Sequence, residues 1–589
     1  MSSSTRWLSA AMVSTALVIS ACGGGGGSGG GSTPGTPPIG GSPPPPPPPP
    51  PPATKIESEE EASRFLAQAT FGGTKSQIEN LQDVDSASFL QTEFSKPATF
   101  LLPDVLAQPR DADGNLPWNG ISTIYWDQII TADDQLRQRM AFALGQILVY
   151  SDISDGNQTR RAYYQDILTR NAFGNFRDLL QEVTYSPAMG EWLTYMRNRK
   201  GNPDTGRMPD ENYAREVLQL FSIGLFEMNM DGSAKLNADG NEIETYTNED
   251  IIGLARVFTG LAYDTGNDSK FWEYSEEANY RPMRMFEDKH SPLEKTFLGT
   301  TIPEGTPGDE TITHALDTIF EHPNVAPFIS RQLIQRFTQS NPEPAYVRRV
   351  AEAFESGLFV AETGERFGHT GRGDLTATLA AVLLDESLFD TAGDDASVII
   401  KGKVREPVLR FTHWARTFDL QNVDSYNEGR LRQTNDPVDG LGQHPFRSPS
   451  VFNFYRPGYV APGTMTGDRN MTVPELQLVN ESTTVGYLNF MTEFAFDRGW
   501  QVDGDTPSFV PNYDEELALL DTPNDLVEHL DVLLTGGRMT DIERDEIVAI
   551  LDELPINTSE PDREATDRLQ KVQVAVTLVL NSPSYTVTW

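Results

Sequence analysis

Ten consecutive prolines, Pro43–Pro52, close a stretch from Gly23 in which nearly every residue is Gly, Ser, Thr or Pro. A segment with so little apolar surface cannot contribute to a core. It therefore divides the chain of 589 residues into parts that must fold separately. The Gly-rich piece, Gly23–Gly31, has the composition of flexible coil. The proline run favours polyproline II, which rises about 3.1 Å per residue and makes a semi-rigid spacer on the order of 30 Å. The expected organisation is residues 1–21 as a leader, 22–56 as a tether and 57–589 as a globular body.

The leader has the parts of a secretory signal: a positive start with Arg6, then an apolar stretch from Trp7 to Ala21 that is short for a membrane span. It ends in Ile19-Ser20-Ala21-Cys22, which resembles a bacterial lipobox. On that reading Cys22 is lipidated and becomes the mature N-terminus; the alternative is an ordinary signal peptide that contains a cysteine. Two or more acyl chains anchor a protein stably where one does not. Cys22 is the only cysteine, so disulfide, thiolate-nucleophile and Cys-rich metal chemistry are excluded from the body. In a Gram-negative cell Gly23 after the cysteine, rather than Asp, resembles the default for an outer-membrane lipoprotein, periplasmic or surface-exposed.

The full chain has 46 Lys+Arg against 85 Asp+Glu, a formal net charge of -39, which argues against nucleic acid as a partner. Helical spacing of apolar residues dominates. Ser58 to Glu61 fits a capping box, Thr74 to Gln77 a second start, and amphipathic segments recur at Asp133–Val149, Asp210–Ile223, Asn248–Phe258, Pro323–Phe337, Asp374–Phe389, Pro474–Met491, Asn524–Leu534, Asp541–Leu551 and Asp562–Leu580. Strand-like runs concentrate between residues 225 and 301, where Asp231-Gly232 and Asp239-Gly240 read as hairpin turns. The fold class expected is mainly α, a large multi-helix body with a small β-hairpin region near residues 225–301.

Ala62-Ser63-Arg64-Phe65-Leu66 through Thr70-Phe71-Gly72, Glu211-Asn212-Tyr213-Ala214-Arg215-Glu216 with Leu220-Phe221 and Gly224, and Tyr246-Thr247 through Phe258-Thr259-Gly260 form an ordered set. His290 before Lys295 and Phe297-Leu298-Gly299, His322-Pro323 with Phe337, Gly442-Gln443, and Asn581-Ser582-Pro583-Ser584-Tyr585 continue it. This set resembles the bacterial family called domain of unknown function 1800, over about residue 57 to the end. Ser291 and Asn453-Phe454 depart from the family's usual Asp and Gly-Trp. The resemblance implies a helical envelope protein with no established reaction. It also implies a possible sulfatase-like partner, because genes of this family often lie beside one for domain of unknown function 1501.

At about 100° per residue, Asn212, Arg215, Glu216 and Gln219 share one arc of their helix. They read either as a solvated face or as the polar wall of a pocket, with Arg215 holding an anion and Glu216 orienting it. Arg197, Arg199, Lys200 and Arg207 crowd the preceding loop, and Arg281, Arg284, Lys289 and Lys295 surround His290. These cations fit an anionic glycan, sulfated or carrying uronic acid, or they compensate neighbours such as Glu287 and Asp288. Glu216 and His290 are the candidate proton-transfer groups of an enzyme. No histidine has metal-ligand spacing, and no cofactor motif lies outside the tether. Asn237–Asn241 reads as a turn rather than a Ca²⁺ loop, and Asp374 as a helix cap. The function expected is a lipid-anchored binding or assembly factor for an anionic envelope ligand or a sulfatase-like partner; the alternative is a hydrolase-type enzyme acting on an anionic glycan.

Overall fold

Ser58 begins the body in the computed structural model, which describes residues 55–588 apart from 118–119, 154–155, 267, 389–400, 423–430, 432–433 and 497–508. The leader, Cys22 and the tether as far as residue 54 lie outside the described residues, as does the predicted helix end at Phe389. Ser58 Oγ accepts the Glu61 amide at 3.3 Å and opens α1, Glu59–Ala69. The Glu61 carboxylate reaches the Glu57 amide, at 2.8 Å, rather than closing a box on Ser58. Ala62, Phe65, Leu66 and Ala69 face inward, as their spacing predicts. Thr74 and Gln77 do form a reciprocal box at the next helix, Lys75–Leu81.

Predicted helices recur with shorter ends as α2 (Gln135–Gly145), α3 (Asn212–Gln219), α4 (Asn248–Val257) and α6 (Val325–Phe337), while α5 (Gly308–Phe320) and α7 (Pro407–Thr417) lie outside the predicted segments. Near the C-terminus come α8 (Pro523–Leu530), α9 (Asp541–Glu553) and α10 (Pro561–Leu580). Asp374 caps its helix through the Ala377 amide at 2.9 Å. Two segments differ from expectation. Pro474–Met491 is broken: a 3-10 turn over Pro474–Leu478 stops before Asn480, whose side chain caps a new helix, Glu481–Ala495. Helix α2 is not amphipathic, because Gln135, Gln138 and Arg139 are buried beside its apolar residues.

The strands are short antiparallel pairs. β1 (Leu261–Ala262) pairs with β2 (Arg284–Met285), and β3 (Lys295–Phe297) with β4 (Thr300–Ile302). Isolated bridges Phe226↔Glu244, Met228↔Ala234 and Leu236↔Glu242 build the excursion after α3. Its turns are those predicted: the Gly232 amide donates to Asn229 O and the Gly240 amide to Asn237 O, both glycines at positive φ. Asn237 Oδ1 accepts the Asp239 and Asn241 amides, so it serves the turn. Further two-residue pairs join 359–360 to 366–367, 403–404 to 587–588 and 421–422 to 509–510.

One apolar cluster runs from Ile56 to Tyr585. It ties the two ends of the body together. Ser63 Oγ donates to Leu533 O at 3.0 Å, and Arg64 Nη1 donates to Gly536 O at 2.6 Å. Among the described residues no helix is long and apolar enough to cross a membrane.

Candidate functional site

Helix α3 turns the predicted polar arc partly inward. Asn212, Arg215 and Gln219 are half-exposed, whereas Glu216 is buried and its Oε2 has no hydrogen-bond partner. Burial raises the Glu216 carboxyl above its usual range, and Arg215 beside it acts the other way. Arg215 faces Glu211 one turn earlier at 3.7 Å. Tyr246 Oη donates to Gln219 Oε1 at 3.4 Å, so one tyrosine, from the end of the β excursion, joins this wall. The opposite face of α3 packs on aromatic rings: Tyr213 stacks on Tyr195 at 4.1 Å and meets Phe258 edge-on at 4.7 Å.

The loop before α3 is pinned at both ends. Asn198 and Asp210 exchange side-chain and main-chain hydrogen bonds at 3.0 and 3.3 Å. Arg197 sits at φ +63°, a conformation that non-glycine residues seldom adopt, held by its amide on Leu261 O at 2.7 Å. Its guanidinium donates to Glu273 O at 3.0 Å and lies 5.3 Å from the Tyr263 ring and 5.8 Å from Trp272. The Arg199 guanidinium lies 5.2 Å from the same Trp272 ring. Trp272 is 59% exposed. Arg207 donates to Lys200 O at 3.0 Å. Among the described residues none of Arg197, Arg199, Lys200 and Arg207 forms an ion pair, in a chain whose net charge is -39.

The second basic group joins the first. The Lys200 amide donates to Lys289 O at 2.8 Å, and Lys289 Nζ lies 5.9 Å from Phe271, whose ring meets Trp272 at 5.0 Å. Arg284 donates to Gly266 O at 3.1 Å, and Arg281 is exposed. Compensation accounts for part of this group: Asp288 pairs with Lys289, and Glu287 accepts the Gly308 amide at the start of α5. Lys295 and His290 do not belong to the surface, since both are buried. His290 Nδ1 donates to Thr259 O at 2.8 Å, which leaves Nε2 as the lone-pair nitrogen. Burial lowers the His290 pKa, and Lys295 lowers it further. Glu216 and His290 share neither a hydrogen bond nor an ion pair.

Among the described residues one group offers three potential metal-ligand atoms: Glu515, Glu516 and His529. Its centre holds the Lys75 ammonium, 2.8 Å from Glu516 and 3.3 Å from Glu515, and His529 Nε2 is 2.9 Å from Glu516. Burial of Glu516 would raise its pKa, but His529 and Lys75 hold it below the usual range. The group is thus a hydrogen-bonded tie between the first helices and the last. Spacing could not reveal it, because its members come from Lys75–Leu81, Asp514–Leu519 and α8.

A family model described as "Protein of unknown function (DUF1800)" matches residues 64–587. No curated protein and no solved structure matches the chain. The matched span takes in α1, the α3 wall, the Trp272 loop and the closing Tyr585, so the chain belongs to the DUF1800 family of proteins of unknown function.

Proposed function

We propose that this protein is a lipid-anchored envelope protein that binds an anionic glycan on the surface around Trp272. The observation that carries the reading is two arginines, Arg197 and Arg199, lying against a largely exposed indole without ion-pair partners among the described residues, with Lys200 and Arg207 in the same loop. An indole face stacks on the apolar face of a sugar ring, and guanidinium forks match sulfate or carboxylate bidentately. Lys289 and Arg284 extend the positive surface past one sugar unit. The α3 wall, with Arg215 exposed and Glu216 buried, flanks the same loop in sequence and supplies a further anion contact. A sulfatase-like envelope partner is compatible with this reading, since both proteins would work on one anionic polymer. The enzyme alternative would gain from Glu216 and His290 meeting in one pocket, and among the described residues they share neither a hydrogen bond nor an ion pair.

Two measurements test the proposal. On a glycan array the purified protein binds sulfated or uronate oligosaccharides and leaves neutral glucans unbound; equal binding to both classes removes the charge argument. In the producing cell, globomycin causes unprocessed precursor to accumulate. A mature product released freely into the medium would remove the anchor while leaving the glycan reading intact.

A further inference from the structure

A second set of charges lies far from solvent. Arg139 of α2, Arg336 of α6, Lys403, Glu406 and Glu475 are each 2% exposed or less. Lys403 and Glu475 pair directly, and Lys403 Nζ also donates to Gln335 O at 2.8 Å. Glu475 accepts Ser340 Oγ at 2.8 Å, so that pair is complete. Glu406, the residue before α7, is held differently. Its Oε2 accepts the side-chain amides of Gln146 and Gln443, while its Oε1 has no partner. It feels the positive charge of Lys403, Arg336 and Arg139, yet pairs with neither arginine.

The two arginines are left with unused donors. Arg139 spends Nη2 on Arg336 O, and its Nε and Nη1 are buried without partners. Arg336 Nε and Nη1 are also buried without partners among the described residues, and the Tyr455 ring lies 4.7 Å from the Arg336 guanidinium. Burial brings Arg139 down to about 10, so it remains a cation at neutral pH. Lys403 cancels Glu475, and Glu406 cancels one guanidinium. One positive charge remains, with four guanidinium nitrogens as unused donors. Water bridging these groups would satisfy the donors and leave the charge unbalanced, and an unbalanced buried charge is strongly disfavoured.

We infer that a small monovalent anion of halide size binds between the Arg139 and Arg336 guanidiniums. Phe337, 4.5 Å beneath the Arg139 guanidinium, and Gln443, which holds Glu406, belong to the motifs that carry the family resemblance, yet neither lies on the Trp272 surface. The site is independent of glycan binding. Its anion makes the folded core sensitive to halide concentration.

The test uses the purified full chain at fixed ionic strength, with bromide or chloride exchanged against gluconate, which is too large to enter. A ligand that binds only the folded state raises Tm with its concentration, here by about 1 °C per tenfold once the site is populated, for a chain of this size. Arg336→Met removes the surplus charge. It should abolish the halide dependence while leaving Tm in gluconate no lower than that of the wild type. Should that variant not fold, crystals grown in bromide decide on the wild type: an anomalous peak between the two guanidiniums is expected. A Tm indifferent to halide in the wild type, or density there that scatters as water alone, overturns the inference.

Discussion

Replacing Trp272 by alanine tests whether the exposed indole is a binding surface. A tryptophan side chain offers at most about 250 Å². With 59% exposed, roughly 150 Å² faces solvent, and a sugar ring lying on one face would cover about half of that. At about 25 cal/mol per Å² the loss is about 2 kcal/mol, roughly 25-fold in Kd. The buried remainder contributes about 2.5 kcal/mol to folding, about 2–3 °C in Tm at this chain length, so the variant remains folded. Titration calorimetry with a sulfated oligosaccharide at about 50 and 300 mM salt separates the two kinds of contact. Trp272→Ala should weaken binding equally at both. Arg199→Ala should cost about 1 kcal/mol at the lower salt and much less at the higher, where the charge is screened. An alanine variant that binds as tightly as the wild type, or an Arg199→Ala loss indifferent to salt, refutes the reasoning.

Asp166 is nearly buried, and burial pushes its carboxyl up to about 7 despite hydrogen bonds from the Leu101 and Leu102 amides at 2.7 and 3.2 Å. Because the folded form holds its proton longer than the unfolded chain, where the group titrates near 4, its contribution to stability is full below about pH 4. It is lost progressively as pH rises through about 7, by about 4 kcal/mol in all. Asp166→Asn cannot ionise, so its Tm relative to wild type should rise by about 4 °C between pH 4 and 8; a constant difference disproves the shift. Gly253→Ala would place a Cβ 1.9 Å from Thr296 O, where α4 meets β3, and should cost about 3 kcal/mol or more in urea unfolding; wild-type stability would show that this contact relaxes. Lys75→Met leaves the Glu516 carboxylate buried with only His529, and should lower the unfolding free energy by about 3–5 kcal/mol, with a loss under 1 kcal/mol ruling out the tie.

The helices were legible because their signals are local. Ser58, Thr74 and Asp374 sit at N-caps as their side-chain chemistry dictates, and the apolar residues behind them face inward. Asn480 is hidden by the apolar spacing that continues across it, although an Asn followed by Glu481 and Ser482 is itself a start signal. Two-residue strand pairs such as 403–404 with 587–588 carry too few residues for an alternating pattern. At the site, the basic clusters were visible as composition, but their meeting through Lys200 and Lys289, and the tryptophan between them, depends on contacts some 75 to 90 residues apart. The placement of Glu216 was only half legible: the arc it shares with Arg215 is real, and whether that arc is wet depends on neighbours the helix pattern does not contain. Lys295 reads as one of the basic cluster around His290, and both residues are interior for the same reason.

The stitching of α1 to the segment 531–537 has a consequence for how the protein is made. Ser63 and Arg64 emerge early from a ribosome or a translocon, yet their partners Leu533 and Gly536 follow some 470 residues later. Native closure must wait for the last part of the polypeptide, because contacts so distant in sequence form only after the intervening loop exists. A product cut short before α8 would leave the inner side of its first helix permanently bare.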